Sequence, residues 1–265
     1  MKTSRTRIYV GVTIFLPIFC LAMPQHSSAQ QSPDPFKDPA TITKATSEWL
    51  NGKMSSPGVG VEIKEVDRST DGGQLKVQYH AIVTGAPKDQ TYSLLTWPIN
   101  VAGPAKQMEG LSILENGVVA CAGRKPGQCG EKEQPDDPVE FTFMPGKGEV
   151  FRLALISADG KWKIFFAMVP DPIIKTDKGC SLEVIRLTPK FELTLVRAKG
   201  FQPNEDLVFS SKSYDESHVI KAKADASGEY RSALLPVVKD HANGTTSMQL
   251  KGASCAPELS FDWAR

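Results

Sequence analysis

The sequence predicts an all-β protein: two antiparallel β-sandwich domains with one short N-terminal helix. Three observations carry that expectation. Apolar and polar residues alternate with period two along much of the chain, as in Leu75-Lys76-Val77-Gln78-Tyr79-His80-Ala81, which turns one side of a strand to a core and the other to water. Turn chemistry recurs between such runs, at Asp71-Gly72-Gly73, Asn116-Gly117 and Asp159-Gly160. The 265 residues include 21 glycines and 19 prolines, and long stretches of helical period are few.

The first residues stand apart from this pattern. Lys2, Arg5 and Arg7 form a basic head without an acid, the run from Ile8 to Met23 is apolar, and Ser27-Ser28-Ala29 offers the small residues a signal peptidase needs. The expectation is a signal peptide over 1–29, cleaved after Ala29. A membrane-spanning helix needs ~20 apolar residues; this run has 16 and is interrupted by Pro17. Pro17-Ile18-Phe19 is too bulky for lipoprotein processing at Cys20. No later stretch is apolar for long enough to span a bilayer, so the expected location is secreted or periplasmic, in a bacterial envelope, without a transmembrane segment after cleavage.

Cleavage shifts the charge balance. The chain holds 31 basic and 30 acidic residues, and the first 29 residues hold three basic and no acidic ones, leaving 28 against 30. A chain of that balance has no basic footprint for nucleic acid, which is excluded as a partner class. The five cysteines become four once Cys20 leaves. An even count in an oxidising compartment predicts disulfides. Three pairings are open, and spacing favours Cys121–Cys129 across a short Gly/Pro-containing loop and Cys180–Cys255 across the C-terminal segment. Neither pair has the CxxC spacing of redox or zinc sites.

The elements follow in order. Gln30 to Asp38 reads as a flexible leader (30–38), polar and proline-containing. Asp38-Pro39 has the form of an N-cap with proline at the first helical position, Ile42, Ala45 and Trp49 recur at helical spacing, and Gly52 can close the end, so a helix is expected over 39–50. Val59–Val66 and Leu75–Val83 read as a hairpin, followed by strands at Tyr92–Trp97, Leu111–Leu114, Val118–Cys121 and Val139–Phe143. The clearest hairpin is Val150–Ser157 with Lys161–Val169, whose second strand sets Trp162, Ile164, Phe166 and Met168 on one face. Val169-Pro170-Asp171-Pro172 breaks this run, since proline cannot continue a central strand. The expected division is therefore an N-terminal sandwich over 39–170, a linker over 171–178 and a second sandwich over 179–265. Seven short strands are expected in the second, at Leu182–Ile185, Phe191–Arg197, Leu207–Ser211, Val219–Ala224, Tyr230–Pro236, Ser247–Leu250 and Leu259–Trp263.

Within that second part, Gly200-Phe201-Gln202-Pro203-Asn204-Glu205 and Ala224-Asp225-Ala226-Ser227-Gly228-Glu229-Tyr230 resemble the pattern of bacterial immunoglobulin-like domains. There a Gly-Phe-x-Pro turn and an Asp-x-x-Gly turn bracket the middle strands. The resemblance covers about 180–263 and implies an immunoglobulin-like sandwich serving as spacer, adhesive unit or binding module. The N-terminal part resembles no family.

Residues suited to chemistry are sparse. The mature chain keeps His80, His218 and His241, on a polar strand face or beside turns. No Gly-x-Ser-x-Gly elbow, HExxH motif or phosphate-cradling glycine loop occurs. No catalytic residue and no cofactor is therefore expected. Glu131, Glu133, Asp136 and Asp137 place four carboxylates between prolines, a candidate calcium loop whose spacing matches no calcium template. Trp97, before Pro98 at a strand end, and Arg124 and Lys125, in the Cys121–Cys129 loop, are the candidate ligand contacts. Trp162 and Trp263 are expected in the core, and Asn243-Gly244-Thr245 in a turn. The expected function is non-catalytic binding or structure, through loops and strand edges, toward a protein, peptide or envelope glycan. The alternatives are an envelope-polymer hydrolase using carboxylates of the 131–137 loop, and a periplasmic assembly or chaperone factor.

Overall fold

The computed structural model describes the backbone of residues 7–9 and, with side chains, residues 39–101, 103–122, 129 and 137–265. Of the expected signal peptide and leader, only the three-residue strand β1 (Arg7–Tyr9) falls within these. Helix α1 (Pro39–Leu50) forms over the expected residues. It buries Ile42, Thr46 and Trp49, an i, i+4, i+7 stripe, so Thr46 takes the inward place expected of Ala45.

Among the described residues the first sandwich holds β1, then β2 (Gly60–Asp71), β3 (Gln74–Thr84), β4 (Tyr92–Trp97), β5 (Ala105–Ile113), β6 (Val119–Cys121), β7 (Glu140–Phe143), β8 (Phe151–Ser157) and β9 (Lys163–Met168). One sheet runs β1-β7-β3-β2 and the other β6-β5-β4-β8-β9. All pairs are antiparallel except β1 with β7. The β2–β3 hairpin turns through Gly72 and Gly73, both at positive φ, as a two-residue turn between twisted strands requires. A bulge between Glu65 and Asp67 adds an unpaired residue and leaves Val66 exposed.

The alternation of β3 works as expected on its apolar side, where Val77, Tyr79, Ala81 and Val83 join the core. Its polar side departs from expectation: Lys76 and Gln78 are buried too. Gln78 Nε2 donates to Glu140 Oε2 and Thr142 Oγ1 on the neighbouring strand, so its amide is satisfied out of water. Tyr92, Leu94, Leu111, Phe141, Phe143, Leu153, Leu155 and Ile164 fill the space between the sheets. Trp162 and Met168 pack against that core at its margin, partly buried.

The second sandwich holds β10 (Ile173–Asp177), β11 (Cys180–Arg186), β12 (Thr194–Lys199), β13 (Asp206–Ser213), β14 (Glu216–Lys223), β15 (Tyr230–Leu234), β16 (Asn243–Lys251) and β17 (Glu258–Ala264). Its sheets run β10-β11-β12-β15 and β14-β13-β16-β17. The chain thus crosses between sheets from β12 to β13, β14 to β15 and β15 to β16, a Greek-key order, and the core of Leu182, Val184, Val196, Leu207, Phe209, Leu250, Leu259 and Phe261 lies between them. Residues 171–178, expected as a linker, carry β10, which pairs along its whole length with β11. Pro172 precedes the strand and Lys178-Gly179 turns it back with both residues at positive φ. Asn243-Gly244-Thr245 opens β16 and is not a turn; the turn falls just before it, at Asp240. Trp263 is buried as expected.

The disulfides are Cys121–Cys129 and Cys180–Cys255. The second ties the start of β11 to the loop before β17, and so one sheet to the other. No helix among the described residues is long and apolar enough to cross a membrane.

Where the sandwiches meet, Val150, Ile185, Leu187, Leu193 and Leu195 form a third apolar cluster with Ile42 of the helix. The helix fastens to both sides. Trp49 Nε1 donates to Leu153 O of β8 at 2.7 Å, and just past the helix Asn51 Oδ1 accepts from Arg231 of β15.

Candidate functional site

At this junction lies a cavity of about 310 Å³, walled by the end of β4 and the residues after it, the start of β8, and Arg186 and Pro189. Most of its wall is apolar: Trp97, Pro98, Ile99, Phe143, Met144, Val150, Phe151, Leu153 and Pro189. Its polar groups are few and placed with purpose, the pattern expected of a ligand pocket.

Arg152 is the central one. It is 2% exposed, on the β8 face opposite Leu153 and Leu155, which enter the core. Its Nε donates to Trp97 O, Nη1 to Thr46 Oγ1 and Nη2 to Pro98 O, at 3.0, 3.0 and 3.3 Å. The guanidinium carbon stands 3.9 Å from the centre of the Trp97 ring, a close cation–π contact. Trp97 is backed by Trp49, ring centres 5.5 Å apart, and Trp49 by Phe165 at 4.8 Å, edge to face. Among the described residues Arg152 forms no ion pair, and burial alone pushes its pKa down to about 9.

Arg186, at the end of β11, reaches the same cavity from the second sandwich. Its Nη2 donates to Glu149 Oε2 at 2.7 Å and Nη1 to Pro189 O. The loop before β8 closes over it: Gly146 N donates to the same Glu149 oxygen, Gly148 N to Asp171 O, and Arg186 N to Gly148 O. Residue 146 must be small, because a Cβ there would stand 2.3 Å from Arg186 Nη2. Two polar atoms of these residues, Arg186 Nε and Thr96 Oγ1, are enclosed by the protein and have no hydrogen-bond partner among the described residues.

Of the expected contacts, Trp97 lies in the wall of this cavity, half-buried and with its Nε1 donating to Val101 O. Arg124 and Lys125 lie outside the described residues, as do Glu131, Glu133 and Asp136 of the candidate calcium loop. Asp137 is described, half-buried, and its carbonyl accepts from Cys121 N. No group of three metal-ligating side chains occurs among the described residues. The histidines are scattered: His80 on β3, His218 exposed on β14, and His241 stacked on Tyr214 at 3.8 Å. None of them lines the cavity.

Arg152, Arg186 and Thr96 are not among the site residues expected from the sequence. One signal for the first was present: in Phe151-Arg152-Leu153-Ala154-Leu155-Ile156 a cation interrupts a continuous apolar run, and such a residue must either be paired or serve a site. Nothing local marks Thr96.

No family model and no curated relative matches the chain. Among solved structures, a transglutaminase from red sea bream matches at 8% identity with a TM-score of 0.23, over 85% of this chain and 34% of that one. This chain spans about a third of that structure's length, and a likeness so low carries no argument about fold or activity.

Proposed function

We propose that this chain is an exported, non-catalytic binding protein whose ligand sits in the cavity between its two sandwiches. The observation that supports it best is the lining itself: an aromatic and aliphatic wall around a buried Arg152 that meets no counter-ion among the described residues. Groups left in that state cost stability unless something completes them. Among the lining residues there is no His, Cys or Ser, and the single acid, Glu149, is held by Arg186. The disulfides fit an oxidising compartment, secreted or periplasmic. The strand order of the second sandwich favours the immunoglobulin-like reading of 179–265, as a scaffold for one wall of the site.

A test is uptake of the neutral dye Nile red by the full disulfide-intact chain. One equivalent is expected, with loss of the signal in Met144→Arg, a substitution at an exposed lining residue. Val219→Lys, on the exposed β14 edge, controls for dye at the other apolar surface and leaves uptake unchanged. Absence of uptake, or uptake untouched by Met144→Arg, refutes the reading.

A second observation favours contact through a strand edge. β14 ends its sheet with every residue but Ala222 exposed, Val219 at 71% and Ile220 at 50%. An unpaired edge of this kind accepts another extended chain.

A further inference from the structure

The chemistry of the ligand can be read from what the cavity leaves unsatisfied, granted that the cavity is a ligand site. A guanidinium has five N–H groups. Arg152 gives three of them to neutral oxygens, Trp97 O, Pro98 O and Thr46 Oγ1, so two remain and its charge meets no anion among the described residues. Arg186 spends its Nη groups on Glu149 and Pro189 O, and its buried Nε has no acceptor. The buried Thr96 hydroxyl also lacks one. The last two are enclosed by the protein itself, so the lining's uncommitted donors toward a ligand are those of Arg152, beside the amide of Asn100.

Charge narrows the class further. Glu149 offsets Arg186, which leaves one positive charge in the lining. A single carboxylate neutralises it, whereas a phosphate dianion would bury an uncompensated negative charge, and that is costly away from water. A carboxylate accepts at two coplanar oxygens, the geometry a guanidinium fork offers. The remaining wall is apolar, with Trp97, Phe143 and Phe151 among its largest faces.

We infer that the cavity binds an apolar monoanion by its carboxylate, with Arg152 as the ion partner. The ligand is an apolar body carrying one carboxylate, either a free organic acid or the C-terminus of a peptide ending in an apolar residue. Desolvation has already been imposed on Arg152 by the fold, so the incoming anion meets a prepared cation and recovers energy that the empty protein lacks. The lowered pKa of Arg152 has the same origin, burial without a counter-charge, and an anion raises it again.

The experiment is isothermal titration of the full, disulfide-intact chain with 4-phenylbutyrate and its amide, and with N-acetyl-Leu-Phe and its C-terminal amide. In each pair the acid binds about tenfold or more tightly than the amide, the difference expected of a hydrogen bond to a charged group. Whichever acid binds more tightly assigns the source, free acid or peptide terminus, and either supports the inference. Acid and amide binding equally would overturn it while leaving a neutral-ligand pocket standing. Inorganic phosphate displacing the acid more effectively than acetate would overturn the monoanion assignment. Binding of none of the four probes, with no Nile red uptake, would overturn the pocket itself.

Discussion

Removing the two disulfides one at a time should produce unequal losses, and the inequality can be worked out. Cys180–Cys255 closes a separation of 75 residues and Cys121–Cys129 one of 8. On the chain-entropy model the first stabilises by about 4.5 kcal/mol and the second by about 2.5 kcal/mol. Their difference, about 2 kcal/mol, depends only on the ratio of loop lengths. All four cysteines are buried, so replacing each pair by alanines loses similar packing and leaves that difference intact. The measurement is urea unfolding of Cys180→Ala/Cys255→Ala and Cys121→Ala/Cys129→Ala against the parent. The indole of Trp263, whose Nε1 donates to Ser213 Oγ in the second sandwich, reports that sandwich. Trp162, packed against the first core, reports the other. A loss of about 4.5 kcal/mol approaches the whole stability of a small domain, so the first variant should be close to unfolded without denaturant. If removing Cys121–Cys129 costs as much as removing Cys180–Cys255, the loop-closure reasoning fails.

Three further outcomes follow from local geometry. Tyr79 and Tyr92 have phenols pushed up to about 12, chiefly by burial and further by nearby carboxylates; the neutral form is favoured, so their contribution is complete below pH 10 and lost as pH rises toward 12, and absorbance at the tyrosinate band should show these two titrating after the rest, whereas one wave near pH 10 in the folded protein would contradict it. Gly228 has φ +76 and a Cβ there would stand 2.1 Å from Phe201 O; Gly228→Ala should cost about 2–3 kcal/mol in chemical denaturation, and a neutral substitution would refute the placement of the 225–229 turn. Gly146→Ala should push Arg186 off Glu149 and cost about 1–2 kcal/mol; combined with Glu149→Gln it should cost little more than either alone, and full additivity would show that the two side chains do not act together.

Much of the strand order was legible because strand period and turn chemistry are local. Tyr92–Trp97 appears as read, and helix 39–50 begins on its proline and is turned out by Gly52, at positive φ two residues past its end. The β10 strand was not legible: Ile173-Ile174-Lys175-Thr176-Asp177 lies directly after two prolines, and it becomes a strand because β11 offers it an edge. Lys76 and Gln78 read as water-facing for the same kind of reason, since the partners that satisfy Gln78, Glu140 and Thr142, come from 62 and 64 residues away.

The site shows this division most clearly. Trp97 drew attention from its own neighbourhood, a tryptophan at a strand end before proline. Its meaning changed when Arg152, 55 positions on, came to rest on its ring. The residue sequence carried the two-sandwich class, the helix and the cysteine pairing, because periodicity, capping and loop length act over short stretches or through simple chain statistics. The cavity exists because β4, β8 and β11 converge, and whether a buried arginine is paired or waiting depends on what long-range packing brings beside it. Tertiary structure decided that Arg152 would be buried without an anion among the described residues, and that outcome has no counterpart in any local run of residues.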